Sequence, residues 1–278
     1  MTDLEIRRSD FISIKEMAQL VELQNTVYKE RGLVFTIDDF TQWYLNNPVG
    51  KVISFNAFDG VVMAAHYACI PTLMQIGDRT VRGIKSMATV THPNYRGRGL
   101  FKTLAKKTYE AAKKEGYEFV VGVANANSFP GFMKYFPFTF VAQLNVKVGY
   151  GNGVTINNGV QFSGVISPEI LQWRINCGKG YSKKGQTVIG KYGKFARTLM
   201  GIASKDACES VSLPKASISL KPCLYVGIGA KPNGIYIRVP KFIKHSPFNL
   251  IFMDLTDGNL PEVNRNNIFF QLLDFDVA

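Results

Sequence analysis

Residues 92–102 read HPNYRGRGLFK, a basic, glycine-bearing loop set between the apolar run IKSMATV and the lysine-rich stretch LFKTLAKKTYEAAKKEG. Arg96 and Arg98 supply charge, and Gly97 and Gly99 let a backbone come close to a bulky group. A helix beginning directly afterwards would present unpaired N–H groups and the positive end of its dipole. That chemistry is anion binding, pyrophosphate in particular. A nucleic-acid patch and an ordinary tight turn are the competing readings. No glycine precedes Lys102, so the loop is not a nucleoside-triphosphate P-loop, and GRGLFK lacks the third glycine of the dinucleotide fingerprint. Elsewhere, His66 in VVMAAHYACI is a candidate general base, although a lone histidine in an apolar strand more often belongs to the core. His92, four residues before Arg96, reads as structural.

The elements that would position this loop can be read from periodicity and turn residues. A short strand, LEIRR, precedes a helix over about residues 13–30, with Ile14, Met17, Leu20, Val21 and Leu23 at helical spacing. A second helix over 37–46 opens at Asp38 and Asp39. Asp59-Gly60 and Gly77-Asp78 mark two hairpins, which makes KVISFNAF, VVMAAHYACI and VRGIKSMATVT an antiparallel meander. After the loop come a helix over 98–115 ended by Gly116, the strand EFVVGVA, a short helix in NSFPGFMKYF and the strand TFVAQLNVKVG. This order predicts an α/β (mixed α+β) fold, a mixed sheet flanked by helices, rather than repeated βαβ units.

The chain has 278 residues, 46% of them hydrophobic and 19% charged, enough for one large domain or two modest ones. No run approaches the length of a membrane span, and the N-terminus has no apolar signal core, so a cytoplasmic protein without membrane association is expected. Cys69, Cys177, Cys208 and Cys223 are scattered without a CxxC pair, which predicts reduced thiols and no metal site. The net charge is +12 without a block of like charges, which argues against a nucleic-acid tail and favours anionic ligands. Both tryptophans follow glutamine, at Gln42-Trp43 and Gln172-Trp173, 130 residues apart. That spacing suggests a domain over 1–150 and a second, smaller, divergent copy over 151–278.

The loop Arg96-Gly97-Arg98-Gly99-Leu100-Phe101, in its strand–loop–helix setting, resembles the coenzyme A loop of the GNAT acyltransferase superfamily, except that Phe101 replaces a small residue. Asn125-Ala126-Asn127-Ser128, followed by Phe132, Lys134 and Pro137-Phe138, is similar to a second motif of that family. The resemblance implies acetyl-CoA as co-substrate, with Arg96 to Phe101 cradling its pyrophosphate. It implies that Met87 to Val90, Thr89 included, pair with the pantetheine arm, and that the Val90 N–H polarises the thioester carbonyl. Asn125 and Ser128 would lie along the same arm. The family's usual glutamate base is missing from VRGIKSMATVT, and its usual tyrosine acid is replaced by Phe132. His66 and Tyr135 are therefore the candidates for proton transfer.

The activity that the resemblance implies is N-acyl transfer to a primary amine. A non-catalytic acyl-CoA-binding protein and an acyl-carrier-protein-dependent transferase are the alternatives. The second half carries 15 Lys and Arg against 8 Asp and Glu, so the expected acceptor is a small anionic amine. An amino sugar on a nucleotide carrier fits, and larger bacterial relatives of this appearance link it to surface polysaccharide synthesis. Arg174, Lys191 and Arg197 are candidates for a basic rim. The oligomeric state is left open.

Overall fold

The computed structural model describes residues 4–11, 13–177, 180–192, 196–216, 219–239 and 246–275. They pack as two compact units. The first comprises Met1–Thr72, Arg82–Val121 and Asp254–Gly258, and the second comprises Leu73–Val81, Gly122–Met253 and Asn259–Ala278. The boundary expected after residue 150 differs from this division, and the second unit is correspondingly larger. The reason is strand pairing across long sequence distances. Residues 74–76 pair with 162–164, and 139–143 with 249–252, all within the second unit. Conversely, the Leu255 N–H donates to Glu118 O at 2.8 Å, and Lys113 binds Asp257 at 2.7 Å, which holds 254–258 in the first unit.

In chain order the first elements are β1 (Glu5–Ser9), α1 (Ile14–Tyr28), α2 (Ile37–Phe40), β2 (Ile53–Asp59), β3 (Val62–Ile76), β4 (Arg79–Thr91), α3 (Leu100–Lys114) and β5 (Phe119–Ala124). Met17, Leu20 and Leu23 turn α1's apolar stripe inward, while Ile14 opens the helix 76% exposed. Thr36 and Asp39 close a reciprocal capping box at the start of α2, which runs on into a wider turn over Thr41–Leu45. The expected hairpins form: β2 and β3 pair antiparallel across Asp59 and Val62, and β4 follows β3 as its neighbour. β5 then joins β4 in parallel over Gly83–Phe119, Ile84–Val120 and Lys85–Val121. α3 buries Leu104, Ala105, Thr108 and Ala112, and Gly116 ends it in the left-handed region at φ 78°.

The remaining elements are α4 (Phe129–Tyr135), β6 (Thr139–Gln143), β7 (Asn145–Ile156), β8 (Phe162–Gly164), α5 (Pro168–Asn176), β9 (Ser182–Lys184), β10 (Thr187–Tyr192), β11 (Ala196–Ile202), α6 (Lys205–Ser210), β12 (Cys223–Ile228), β13 (Ala230–Arg238), β14 (Asn249–Asp254) and β15 (Ile268–Gln271). The single strand expected over 139–149 is two, because the chain changes partners at buried Leu144: β6 pairs with β14, whereas β7 pairs with β12 and β13. Within this unit β9, β10 and β11 form an antiparallel meander, α6 follows, and β12 returns parallel to β11. The order of β2, β3, β4, α3 and β5 thus recurs, with each Gln-Trp pair shortly before its meander. Among the described residues no helix is long and apolar enough to cross a membrane, and all four cysteines are free.

The β4–β5 junction is tight. A Cβ on Gly83 would lie 2.4 Å from the Phe119 ring, which is itself fully buried. Gly83→Ala is expected to cost about 1–3 kcal/mol, the usual penalty of overpacking. Urea unfolding measures it, and a wild-type midpoint in the variant would show that the ring yields freely.

Candidate active site

The basic loop lies where β4 hands the chain to α3. Residues 93–95 form a tight turn begun by His92, whose Nδ1 accepts from Asn94 N at 3.2 Å and whose own N–H donates to Ala64 O at 2.9 Å. His92 is therefore structural, as expected. Gly97 and Gly99 sit at φ 78° and 70°, in the region that L side chains avoid, with open space where a Cβ would project. Gly99 is the residue at the mouth of α3, and the helix has no side-chain cap and no acid in its first turn. The N–H groups of Leu100, Phe101 and Lys102 lack intrahelical acceptors by helix geometry. Arg96 and Arg98 are exposed beside them, Arg98 with its guanidinium 5.0 Å from the Tyr95 ring centre. Tyr95 is fixed in turn by donating to Asp59 Oδ2 at 2.9 Å. Uncapped N–H groups, a helix dipole, two glycines and two arginines are thus gathered within residues 96–102, with Arg96 Nε donating to Thr91 O at 3.4 Å. An anion of two linked phosphates is the ligand that chemistry suits.

The strand leading into the loop carries a second feature. β4 pairs with β5 only as far as Lys85, then runs six residues further to Thr91. Within that stretch Ala88 has φ 46°, a left-handed conformation in the middle of a strand. Such a residue is a local kink that re-aims the neighbouring backbone groups. Met87, Ala88 and Thr89 are half-buried and Val90 is buried. The Tyr28 hydroxyl donates to Thr89 O at 3.3 Å, which ties α1 to the kinked segment. The resemblance names Thr89 and Val90 but neither Tyr28 nor the kink.

His66 lies elsewhere in the first unit, 1% exposed, with both ring nitrogens engaged. Nδ1 donates to Asn56 Oδ1 at 2.6 Å, so Nε2 is left to accept from the Tyr44 hydroxyl at 2.9 Å. Asn56 Nδ2 donates onward to Ser9 Oγ at 2.7 Å, and Ser9 donates to Glu16 at 3.0 Å. Burial pushes the His66 pKa down from 6.5 to about 3, which keeps the ring neutral. Asn56 and His66 are direct cross-strand partners because the register shifts by one residue between Ala57 and Phe58; counting from the Asp59-Gly60 turn alone would pair Asn56 with Ala65.

In the second unit, Asn125 Oδ1 accepts from Asn127 N and Ser128 N at 2.9 and 3.0 Å, so this asparagine secures the turn that begins α4. Ser128 Oγ approaches the same oxygen at 3.3 Å. Phe132 is buried against Phe138 at 5.5 Å, whereas Tyr135 is 42% exposed beside Lys134. Two of the three basic residues expected at a rim are turned to structural work. Arg174 is buried and donates to Leu272 O and Phe275 O at 3.1 and 2.8 Å. Arg197 reaches Ser219 O at 3.4 Å, and Lys191 alone is exposed. Among the described residues no three His, Cys, Asp or Glu side chains gather to hold a metal.

Residues 8–139 match the model of the acetyltransferase (GNAT) domain. The fold is similar to a probable N-acyltransferase from Enterococcus faecalis, at TM-score 0.58 and 8% identity over 91% of this chain and 73% of that one. It is also similar to a GCN5-related N-acetyltransferase from Kribbella flavida, at 0.57 and 10% over 91% and 73%. A third, from Anabaena variabilis, gives 0.58 and 10% over 91% and 74%. No curated protein sequence matches the chain. The match over residues 8–139 identifies an acyltransferase domain of the N-acetyltransferase type. Residues 8–139 belong to the GNAT superfamily.

A histidine whose folded pKa is depressed withdraws stability as pH falls through its unfolded value, because only the unfolded chain takes up the proton. For His66 that window runs from about pH 6.5 down to about 3. By pH 5 the loss attributable to it is about 2 kcal/mol, at 1.36 kcal/mol per unit. Unfolding free energies of wild type and His66→Gln at pH 7 and pH 5 measure it, since groups shared by both proteins cancel. Equal acid losses in the two would refute the assignment.

Proposed function

We propose that the chain transfers the acetyl group of acetyl-CoA to a primary amine on an anionic small molecule, an amino sugar on a nucleotide carrier being the chemistry that fits. The observation that carries this reading is the pair of left-handed glycines opening on an uncapped, acid-free helix terminus. Arg96 to Phe101 hold the pyrophosphate through backbone N–H groups, so the bulk of Phe101 matters little. Met87, Thr89 and Val90 offer their backbone to the pantetheine arm along the edge of β4 left open beyond Lys85. The Val90 N–H, aimed by the kink at Ala88, stabilises the charge developing on the thioester oxygen. The neutral amine attacks the carbonyl carbon, the C–S bond breaks, and the departing thiolate takes up a proton.

Both His66 nitrogens are occupied and its pKa is far below neutrality. We therefore assign His66 to positioning β2 and β3, with water accepting the amine's proton. Tyr135, whose side chain is exposed, is proposed as a proton donor. Asn125 commits its Oδ1 to the turn before α4, and its Nδ2 is proposed as the group that meets a ligand.

The second unit is proposed to be a copy of the same fold that has lost the coenzyme. The recurring meander, helix and parallel strand support this. At the position of the open β4 edge, Gln271 donates to Ile202 O at 2.8 Å and accepts from Ile202 N at 2.7 Å. Ser204 caps α6 where the first copy leaves α3 bare. The replacement of the family's tyrosine by buried Phe132 favours a second reading, an acyl-CoA-binding protein without turnover.

Gly99→Val is expected to weaken coenzyme A binding at least tenfold in calorimetry. The fold should survive, since a left-handed β-branched residue costs only about 1–2 kcal/mol and no atom lies in the way. Unchanged affinity in a folded variant would sink the cradle. Across a panel of amines, sugar nucleotides should turn over faster than neutral or cationic acceptors, and added salt should narrow the gap. Faster turnover of a neutral or cationic amine at every salt concentration would exclude the anionic acceptor, and binding without turnover of any amine would favour the second reading.

A further inference from the structure

The second unit contains a concavity that the acetyl-transfer reading leaves unused. It is a cleft of about 670 Å³ between the β9–β10 hairpin, α6 and residues 215–216. Lys183, Lys184, Lys205 and Lys215 line it, and Glu209 is the one carboxylate among the described residues of its wall. Each lysine has a definite situation. Lys183, half-buried, donates to Cys208 O and to Val211 O at 3.3 Å, closing the end of α6. Lys184 reaches the neutral amide oxygen of Asn152 at 3.0 Å. Lys205 lies 3.8 Å from Glu209, one exposed helical turn away. Lys215 is exposed, with no side-chain partner among the described residues.

Backbone geometry builds this gathering. Gly185 turns the hairpin at φ 57°, and the segment after Pro214 is clamped to β9 by Lys183 N to Pro214 O at 2.9 Å and Ala216 N to Lys183 O at 2.7 Å. Lys183 and Lys215 are direct backbone partners. Two lysines set side by side on paired strands repel one another. Here two more face the same space against one glutamate. The chain as a whole carries 33 basic residues to 21 acidic ones, so the four-to-one ratio in the cleft exceeds the chain's own excess. An anion in the cleft relieves the repulsion, and low-dielectric walls focus the positive potential onto it.

We infer that this cleft is an anion-binding site for a phosphorylated small molecule of about nucleoside-diphosphate size. The volume lies within the range of small-molecule sites. Lysine suits phosphate as a mobile point charge, and no planar arginine fork is present among the described lining residues to prefer a carboxylate. Asn152 and Gln186 add amide groups at the wall to meet the uncharged part of the ligand. The site is separate from the remnant coenzyme position of this unit, which Gln271 and Ser204 already satisfy. It is also independent of whether the first unit turns over an acyl donor.

Calorimetry on the full chain, first saturated with coenzyme A so that the loop before α3 is filled, tests it with ADP and inorganic pyrophosphate. One site is expected for each, weakened at least tenfold by the double variant Lys184→Gln/Lys215→Gln, with coenzyme A affinity unchanged. Both lysines are exposed, so the variant should keep the fold, which thermal unfolding checks. The inference fails if neither probe binds, or if the folded double variant binds as wild type does. It also fails if binding occurs only without coenzyme A, or if a single-stranded oligonucleotide binds more tightly than both probes.

Discussion

The first unit depends on a strand that is required to do two incompatible things. β4 must pair closely enough with β5 to anchor the sheet, and must then offer a bare edge before reaching the loop. Parallel pairing ends after three residue pairs, at Lys85 and Val121. Gly83, whose missing side chain admits the Phe119 ring, fixes where that pairing sits. Beyond it, Ala88 at φ 46° interrupts the regular strand. Left-handed backbone in a non-glycine residue persists only where surrounding structure over-determines it, and such residues gather at functional positions. Tyr28 supplies part of that determination by holding the Thr89 carbonyl from the side of α1. The open edge and the loop are thus consequences of one truncated ladder.

The meander behind β4 is kept rigid by a polar chain in an apolar setting. Tyr44, His66, Asn56, Ser9 and Glu16 form a donor-to-acceptor sequence that runs from the core towards the exposed face of α1. Every step has its polarity set by the next, because Asn56 can accept from His66 only with its oxygen and donate to Ser9 only with its nitrogen. An asparagine in this position cannot pass a proton along. The chain therefore orients strands and carries no charge. Burial adds to this by holding His66 neutral. The same low dielectric that would make an unpaired group costly makes a completed network specific to one register.

Much of the fold was legible in the sequence, because turn residues and periodicity are local. Asp59-Gly60 and Gly77-Asp78 mark the hairpins, and the stripe from Leu104 to Ala112 marks α3. The loop could be read because glycine spacing and helix onset report backbone conformation directly. What could not be read is non-local. The switch of partners at Leu144 depends on β14, more than a hundred residues later, and the inward turn of Arg174 depends on carbonyls near the C-terminus. Net charge predicted a basic rim because it counts residues without saying where they point. The kink at Ala88 has no signature, since alanine carries no preference for that conformation.

The two proposed anion sites, one in each unit, would be two answers to one problem. At the head of α3 the donors are backbone N–H groups set by glycines and a helix end, fixed before any ligand arrives. Such donors are short-ranged and geometric, and they discriminate by shape. In the cleft beside α6 the donors are lysine side chains on flexible stems, with little commitment to one geometry. These act through charge, at longer range, and are screened within about 8 Å at physiological ionic strength. A site of the first kind suits a ligand held in a single pose for reaction. A site of the second kind suits capture, where entry rate and tolerance matter more than alignment. Gln271 is consistent with this contrast: its side-chain amide satisfies the N–H and carbonyl of Ile202, so a ligand proposed for the second unit would have to be recognised by side-chain charge.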